Sequence, residues 1–370
     1  MAKSIGSIMF YSNFDMIEYN TTSVDAVVNT ETWFSKLFGF VESEVDFNQI
    51  KENFVVKNVD GNNVTLLSKC NNRSFHIGNF TTPSLKILQD AVGNISQSGK
   101  ILRITHIITN DILSEHSKNP GALFQVASQF NCLEMMNPRN TPELGITMYE
   151  YDKTQGPSCA LACASSTLYR NYLVPFQDGS NNQYIGQTEK VQINNFDEVE
   201  NVLGVPYFWY KNGYIFSNKK DLTALNLIID QYQDQIMHIL KFGVTYNTEV
   251  SFTEWFVEPN EKILVSQIFC SAISCSYSGI PNTYWEPLAR LILKSCYKAT
   301  LLAAILNHRN GGSNKVFLTF IGGGAFGNEL EWITDAINYA TDSVRNADLD
   351  IYICHYGRYN DAAISQIFTR

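Results

Sequence analysis

The stretch Phe124-Gln-Val-Ala-Ser-Gln-Phe-Asn131 decides our prediction of the fold, because a short apolar run ends within it. The run predicts a buried strand over 122–127 that continues into a polar loop. A loop rich in acid and glycine follows at 134–156 and leads to a small-residue helix at 158–166. In α/β proteins such a strand, loop and helix N-terminus form phosphate sites, because free N–H groups and the helix dipole meet there.

Strands and helices alternate along most of the remaining chain, and this order predicts a layered α/β sheet with helices on its faces. The predicted strands lie at 101–109, 263–272, 315–321 and 349–354, and the predicted helices at 222–240, 285–306 and 329–344. We expect the last of these elements to form an edge of the sheet. The stretch 176–261 departs from the alternation and is interpreted as an insertion, with a hairpin turn at Asn212-Gly213.

Residues 1–99 differ in composition from the rest and predict a small N-terminal α+β subdomain. Helical spacing appears at 33–40, and two strands are expected within 53–67, joined at Asp60-Gly61. The loop composition of 93–100 marks the boundary with a larger domain over 100–370. This segment is either a packing extension or a surface that recognises a partner.

Composition and charge narrow the class of protein. The chain of 370 residues has 27 basic and 36 acidic side chains, and its formal charge of −9 argues against nucleic-acid binding as its main role. Its eight cysteines form no CxxC pair and predict buried, reduced thiols. No pattern predicts a metal centre, a signal peptide or a membrane span. We therefore expect a cytoplasmic monomer without a metal.

A second candidate site follows the apolar run Val316–Ile321. There the chain enters Gly322-Gly-Gly-Ala-Phe-Gly-Asn328, and a helix is predicted from Glu329. Consecutive glycines allow positive φ angles and close approach, so that successive N–H groups can surround a phosphate. The loop has neither the Walker A nor the GxGxxG spacing. The alternative is a glycine-rich turn that binds no ligand.

Three motifs together resemble the macrodomain, a module that binds ADP-ribose. They are Asn110-Asp111-Ile112, Val126-Ala-Ser-Gln-Phe-Asn131 and Gly322-Gly-Gly-Ala-Phe-Gly-Asn328, in that order. In the usual pattern the first motif is Gly-Asp-Ile and the second is Val-Asn-Ala-Ala-Asn, so Asn110 and the pair Ser128-Gln129 depart from it. The resemblance covers about 101–370 and implies a three-layer α/β/α fold with a mixed central sheet.

Further stretches look like the arginine-specific, MavL-type macrodomain ADP-ribosylhydrolases. These stretches are Thr141-Pro-Glu-Leu-Gly145, Tyr149-Glu-Tyr-Asp-Lys-Thr-Gln-Gly-Pro-Ser-Cys-Ala160 and Tyr169-Arg-Asn-Tyr172. The resemblance implies removal of mono-ADP-ribose from arginine side chains of modified proteins, ubiquitin included, with no cofactor. The alternatives are a module that binds ADP-ribose or ADP-ribosylated protein without cleaving it, and a scaffold without a ligand.

Cleavage of the bond between ribose and a guanidinium needs a base for water, a proton for the leaving nitrogen and stabilisation of a positive carbon, which carboxylates supply. Asp152 is the first candidate, because it immediately precedes the helix entry at 154–156. Glu143 and Glu134 follow, as base or as clamps on the guanidinium. Glu150 shares a face with Asp152 only if that piece is extended. For each of them the alternative is a solvated loop carboxylate.

The resemblance also implies a set of residues that contact ADP-ribose. Asp111 would accept from the adenine amino group, or else cap a helix, and the N–H of Ile112 would contact the ring edge. Phe326 or Tyr356 would pack on ribose or adenine. The remaining implied residues hold ribose hydroxyls and diphosphate: Gln129, Asn131, Thr154, Gln155, Gly156, Gly322, Gly323, Gly324, Ala325, Gly327 and Asn328.

Overall fold

The computed structural model describes residues 31–58, 64–95, 102–178, 180–251 and 262–368. The described residues from Thr32 onward belong to one compact unit. The predicted turn at Asp60-Gly61 and residues 96–100 of the predicted boundary lie outside these ranges.

The first described elements form a small α+β layer. Its strands pair in the order β1-β2-β3, and both pairings are antiparallel. The elements are α1 (Trp33–Phe38), α2 (Phe47–Glu52), β1 (Phe54–Asn58), β2 (Val64–Ser68) and β3 (Ser74–His76). Phenylalanine side chains of α1 and β3 meet edge to face, with 5.5 Å between the ring centroids of Phe38 and Phe75. Aromatic burial therefore holds this layer together.

Eleven further strands are described, of which seven form the central sheet and four form two short hairpins. They are β4 (Asn79–Thr81), β5 (Arg103–Thr109), β6 (Leu123–Ala127), β7 (Pro175–Gln177), β8 (Gln183–Ile185), β9 (Trp209–Lys211), β10 (Tyr214–Phe216), β11 (Gly243–Glu249), β12 (Leu264–Cys270), β13 (Lys315–Leu318) and β14 (Asp350–Tyr356).

The central sheet has the order β4-β11-β12-β6-β13-β14-β5. The strands from β12 to β5 are parallel to one another, whereas β11 is antiparallel to both of its neighbours. The sheet is therefore mixed. The expectation that the last elements form an edge is wrong: β13 and β14 lie inside the sheet, because the early strand β5 pairs with the outer side of β14.

Helices cover both faces of this sheet. The remaining helices are α3 (Leu85–Val92), α4 (Ile112–Lys118), α5 (Gln155–Ala162), α6 (Ala164–Leu168), α7 (Asp197–Leu203), α8 (Lys219–Ile239), α9 (Asn282–Arg309), α10 (Leu330–Ser343) and α11 (Asp361–Gln366). One apolar core contains residues of α3, α8, α9 and α10, and another contains residues of α1, α4, α5 and α6. The three-layer α/β/α arrangement with a mixed central sheet and an N-terminal α+β part is confirmed.

The two cores follow from the alternation of side chains along the strands. In β6, Gln125 points to α9, where its amide donates to the hydroxyl of Thr300 at 2.8 Å. The adjacent residue, Phe124, points to the opposite layer and stacks on His116 of α4 with 3.7 Å between ring centroids. Because both faces of β6 are covered, the strand has the continuous apolar character from which it was predicted.

Two elements that precede residue 99 belong to the main layers. Strand β4 pairs with β11 at the end of the central sheet, and Ser84, the N-cap of α3, forms a bridge with Lys241. Leu85 and Leu88 of α3 lie in the core shared with α9. The division of the chain at residue 99 and the insertion at 176–261 stay predictions.

Helix α5 begins at Gln155, three residues before the predicted helix, because Pro157 fits the first helical turn, where no intrahelical acceptor is needed. The Gln155 side chain docks the helix on β6: it accepts from the N–H of Ala127 at 2.8 Å and donates to the carbonyl of Gln125 at 2.7 Å. A Cβ at Gly156 would overlap the carbonyl oxygen of Ala127. Glycine therefore lets the helix start against the strand end.

We predict that Gly156→Ala lowers the free energy of unfolding by about 1–3 kcal/mol, because helix and strand must move apart. Urea denaturation measures this change. Gly324→Ala is the matched control, since a Cβ at Gly324 meets nothing within 4 Å. Equal stability of the two variants would contradict the close contact.

Candidate functional site

A cavity of about 260 Å³ lies at the carboxyl ends of β6, β12 and β13. Two loops and a helix start form its walls: the loop after β6, the glycine loop after β13, and the N-terminus of α5. Ligands of α/β proteins bind at this edge of the sheet, because the loops and helix N-termini converge there. The cavity is therefore the first candidate site.

Backbone amides without an acceptor occur in two of the segments that line this cavity. In the glycine loop, Gly323 and Gly327 donate their N–H groups to carbonyls within the loop. The amides of Gly324, Ala325 and Phe326 have no acceptor among the described residues, and these three residues line the cavity. In the other segment, the first turn of α5 has N–H groups without intrahelical acceptors. The arrangement suits a bound phosphate or diphosphate. The amides of Gly323 and Gly327, which were also expected to hold the diphosphate, already donate to carbonyls of the loop.

Glu134 lines the cavity from a fully buried position beside Arg170. The Arg170 guanidinium lies 3.3 Å from the carboxylate and 3.8 Å from the ring centroid of Phe269. Arg170 also donates to the carbonyl of Cys132 at 3.0 Å and to the Thr167 hydroxyl at 3.2 Å. Burial raises the pKa of Glu134 to about 7, and Arg170 opposes that shift. Glu134 can therefore exchange a proton near neutral pH.

Asp152 lines the same cavity from the loop before α5. Its carboxylate accepts from the N–H of Thr154 at 2.9 Å, which turns the chain into the helix. Tyr214, Tyr277 and Phe326 form an aromatic wall, with ring centroids 5.5 to 5.8 Å apart. Burial raises the pKa of Tyr277, and the charge of Asp152 raises it further, which places the carboxylate near this wall. The cavity thus combines two carboxylates with an apolar wall.

A second cavity of about 780 Å³ lies at the carboxyl ends of β13 and β14. It shares Thr319, Phe320 and Gly324 with the first cavity, so the two cavities are adjacent. Asn328 lines the second cavity and is buried; its amide donates to the carbonyl of Ile273 at 2.7 Å. Its carbonyl oxygen is also buried and has no partner among the described residues.

A chain of hydrogen bonds through two histidines, His355 and His106, lies beside the second cavity, and His355 lines that cavity. The N–H of Asn360 donates to Nδ1 of His355 at 3.0 Å, so the proton of this ring lies on Nε2. Nε2 of His355 then donates to Nδ1 of His106 at 2.8 Å. The ring of His355 also meets Phe320 edge to face at 5.1 Å between centroids. The chain therefore fixes the segment after β14, which carries the exposed Tyr356 on the cavity rim.

The structure brings many of the residues suggested by the sequence to these two cavities. Lining the first are Glu134, Asp152, Gln129, Thr154, Gln155, Gly156, Gly322, Gly324, Ala325 and Phe326. Lining the second are Gly323, Gly324, Asn328 and Tyr356. The roles assigned to these residues stay predictions.

Other candidates line neither cavity. Asp111 caps α4, accepting from the N–H of Leu113 at 2.9 Å, as the alternative interpretation had it; Ile112 follows in the helix. Asn131 is buried, with its amide donating to Gln192 at 2.8 Å.

The two other acidic candidates, and one glycine, also lie outside the cavities. The exposed Glu143 accepts from the N–H of Glu189 at 2.9 Å. Glu150 bonds to the Tyr151 hydroxyl and raises its pKa. Gly327 packs against Ser276.

Sequence reasoning missed Arg170, Tyr214 and Tyr277 as site residues. Arg170 is in a stretch quoted for its resemblance, but no sequence signal links it to Glu134 across 36 positions. Tyr214 follows the turn Asn212-Gly213, which predicts the hairpin but not its docking. A Cβ at Gly213 would overlap the side chain of Asn131, so this turn packs against the loop after β6. That contact brings Tyr214 to the cavity.

Within the described ranges, no group of three or more His, Cys, Asp or Glu side chains has the arrangement of a metal site. In the same part of the chain, no helix is both long and apolar enough to cross a membrane.

No protein-family model and no curated protein matches this chain. Several solved structures resemble it, among them poly(ADP-ribose) glycohydrolases. A variant of the protein from Deinococcus radiodurans, in complex with ADP-ribose, has 8% sequence identity and a TM-score of 0.44, with 78% of this chain and 91% of that chain covered. The protein from Thermomonospora curvata has 12% identity and a TM-score of 0.42, with 88% and 97% covered. Bound to the inhibitor ADP-HPD, it has 10% identity and a TM-score of 0.41, with 88% and 95% covered. Likeness at this level assigns no activity.

The expectation that this chain belongs to the arginine-specific, MavL-type branch of the macrodomain family is wrong. The solved structures named above are poly(ADP-ribose) glycohydrolases, which are a different family. The motifs misled because they are short. Strand-to-helix turns use glycine and small polar residues for conformational reasons that many functions share.

We predict that Glu134 makes stability depend on pH. Its pKa is about 7 in the folded protein and 4.5 in the reference state, so the folded form holds the proton more tightly. The contribution of Glu134 is therefore most favourable below pH 4.5 and falls by up to about 3 kcal/mol as the pH rises to 7.

Urea denaturation at pH 5 and pH 7.5 measures this effect as the difference between wild type and Glu134→Gln, which cannot ionise. Glu134→Gln also removes the counter-ion of Arg170 and lowers stability at both pH values. Only the dependence on pH tests the prediction. If the two proteins lose the same free energy between the two pH values, the raised pKa is refuted.

Proposed function

We propose that this protein is a hydrolase that cleaves the glycosidic bond at the terminal ribose of an ADP-ribosyl group. One observation carries the proposal: Asp152 and Glu134 line one cavity together with the free amides of 324–326 and the N-terminus of α5. The amides suit a diphosphate, and the carboxylates suit glycosidic chemistry one sugar away.

The two cavities share three lining residues, and this adjacency supports an extended ligand with ADP at one end. The nucleoside would occupy the larger cavity, near Asn328 and Tyr356. The diphosphate would lie between the amides of 324–326 and the first turn of α5. The terminal ribose would then enter the smaller cavity and pack on the wall formed by Tyr214 and its neighbours. This places the anomeric carbon beside the carboxylates.

The proposed reaction divides the work between two acids. A water molecule attacks the anomeric carbon and gives its proton to Asp152, while the bond to the leaving group breaks. The pKa of Glu134, about 7, leaves both its ion-paired and its protonated form populated at neutral pH, and the protonated form donates a proton to the leaving group. The charge of Asp152 also stabilises the positive ribose carbon of the transition state. The products are ADP-ribose and the free acceptor.

For the acceptor we propose the arginine of a mono-ADP-ribosylated protein, with ubiquitin as a candidate. A substituted arginine side chain is cationic, and the described residues that line the smaller cavity include two carboxylates and no arginine or lysine. The formal charge of −9 favours a cationic acceptor over a polyanionic polymer. This choice of linkage is testable separately from the hydrolysis.

We predict that Asp152→Asn lowers kcat for release of ADP-ribose by about 100-fold or more, because the base for water is lost. Release is measured from protein mono-ADP-ribosylated on arginine, beside serine-linked and glutamate-linked protein and poly(ADP-ribose). Glu143→Gln and Glu150→Gln are matched controls, since both carboxylates lie outside the cavities. We expect these two variants to retain activity within about threefold.

Binding is measured on the same proteins as the rise in melting temperature with free ADP-ribose, which must occur if the native state alone binds. Binding without release from any substrate would leave a recognition module and refute the enzyme. Release from another linkage only would refute the choice of arginine. Absence of both binding and release would refute the proposed ligand.

A further inference from the structure

The 3₁₀ turn Thr147–Tyr151 connects the two carboxylates of the candidate site. Asp152 directly follows this turn, and its N–H donates to the carbonyl of Tyr149 at 3.2 Å. The buried hydroxyl of Tyr149 accepts from the N–H of Glu134 at 3.1 Å. A shift of the turn would therefore move Asp152 and alter the support of Glu134.

The start of this turn is held by a carboxylate that is about a hundred positions away in the sequence. Glu42 is 5% exposed and accepts from the N–H of Ile146 at 3.0 Å and from that of Thr147 at 2.7 Å. A Cβ at Gly145 would overlap the carboxylate, so glycine makes the approach possible. Burial raises the pKa of Glu42, while these hydrogen bonds oppose the rise. A buried carboxylate this close to backbone amides fixes their position.

A second residue of the N-terminal part forms a hydrogen bond with the same turn. The indole of Trp33, at the start of α1, donates its N–H to the carbonyl of Thr147 at 2.9 Å. Trp33 is 5% exposed. The donor and acceptor of residue 147 are therefore both engaged by the N-terminal part, one by each of these side chains.

Glu42 also contacts the segment that holds the counter-ion of Glu134. The hydroxyl of Tyr172 donates to the Glu42 carboxylate at 2.8 Å. Tyr172 lies in the same π-helical turn, Tyr169–Leu173, as Arg170. One carboxylate thus joins the turn before Asp152 to the turn that carries Arg170.

We infer that Glu42 and Trp33 are positioning residues of the candidate site, which act by fixing the turn Thr147–Tyr151. The N-terminal α+β part is then a component of the hydrolytic machinery. Neither side chain lines the cavity, so neither touches the ligand. The inference rests on the proposed function for its kinetic consequence, whereas the fixing of the turn can be measured independently of activity.

The test compares Trp33→Phe and Glu42→Gln with Ser68→Ala. Phenylalanine keeps an aromatic ring but has no N–H, and glutamine places a donor where a carboxylate oxygen accepts backbone N–H groups. Ser68→Ala is the matched control: its buried hydroxyl donates to the carbonyl of Phe38 at 2.6 Å in the same N-terminal part, away from the turn. Each of the three variants thus loses a buried hydrogen bond. Only Trp33→Phe and Glu42→Gln lose one that involves the turn Thr147–Tyr151.

Amide hydrogen exchange of residues 146–152 is the first readout. We expect it to be faster by about tenfold or more in Trp33→Phe and Glu42→Gln, while the amides of β6, which report global opening, change no more than in Ser68→Ala. Exchange at 146–152 equal to that of Ser68→Ala would overturn the inference. If Glu42→Gln does not fold, the exchange of residues 146–152 in Trp33→Phe alone tests the inference.

Hydrolysis of arginine-linked ADP-ribose is the second readout. We expect kcat to fall about tenfold or more in both variants, with the Kd of ADP-ribose within about twofold, because the loop at 324–326 is untouched. Faster exchange with unchanged kcat would refute positioning for catalysis. A wild-type protein without activity would refute the proposed function, and exchange would still decide whether the turn is fixed.

Discussion

The buried ion pair between Glu134 and Arg170 is the constraint on which the candidate site depends. Removing two charges from water is costly, and the pair is stable only if its remaining polar atoms find partners. Arg170 meets this demand with the carbonyl of Cys132, the Thr167 hydroxyl and the face of Phe269. These partners come from the loop after β6, from α6 and from β12. One guanidinium therefore contacts the loop, the helix and the strand beside the cavity.

The walls of the smaller cavity are shaped mainly by backbone conformation. The glycine loop turns through positive φ angles at Gly322 and Gly327, and it leaves the amides of Gly324, Ala325 and Phe326 without an acceptor among the described residues. Helix α5 starts against the end of β6 only because Gly156 has no side chain. Among the described residues, those that line the smaller cavity include both amide clusters and no arginine or lysine. If an anion binds there, hydrogen bonds and the helix dipole are what hold it.

The candidate catalytic groups differ in environment as much as in position. Glu134 is buried, and its pKa is raised to about 7, whereas Asp152 lies on a half-buried loop that the N-terminal part fixes. Two acids in contrasting environments are the usual basis for separate proton donor and acceptor roles. The loop of Asp152 owes its shape to contacts about a hundred positions away in the sequence, from Trp33 and Glu42. The sequence near Asp152 does not predict these contacts.

The sequence by itself determined the strands at the sheet centre, the hairpin at Asn212-Gly213, the glycine loop and two carboxylates beside it, because hydrophobic periodicity and turn chemistry are local properties. It did not determine the family, since short glycine motifs serve many functions. Only the tertiary structure decided that β5 lies outside β14 and that Arg170 supports Glu134. Strand order, ion pairing and the burial that shifts a pKa arise from contacts between residues distant in the chain. The free energies of these contacts depend on distances and burial that exist only in the folded protein.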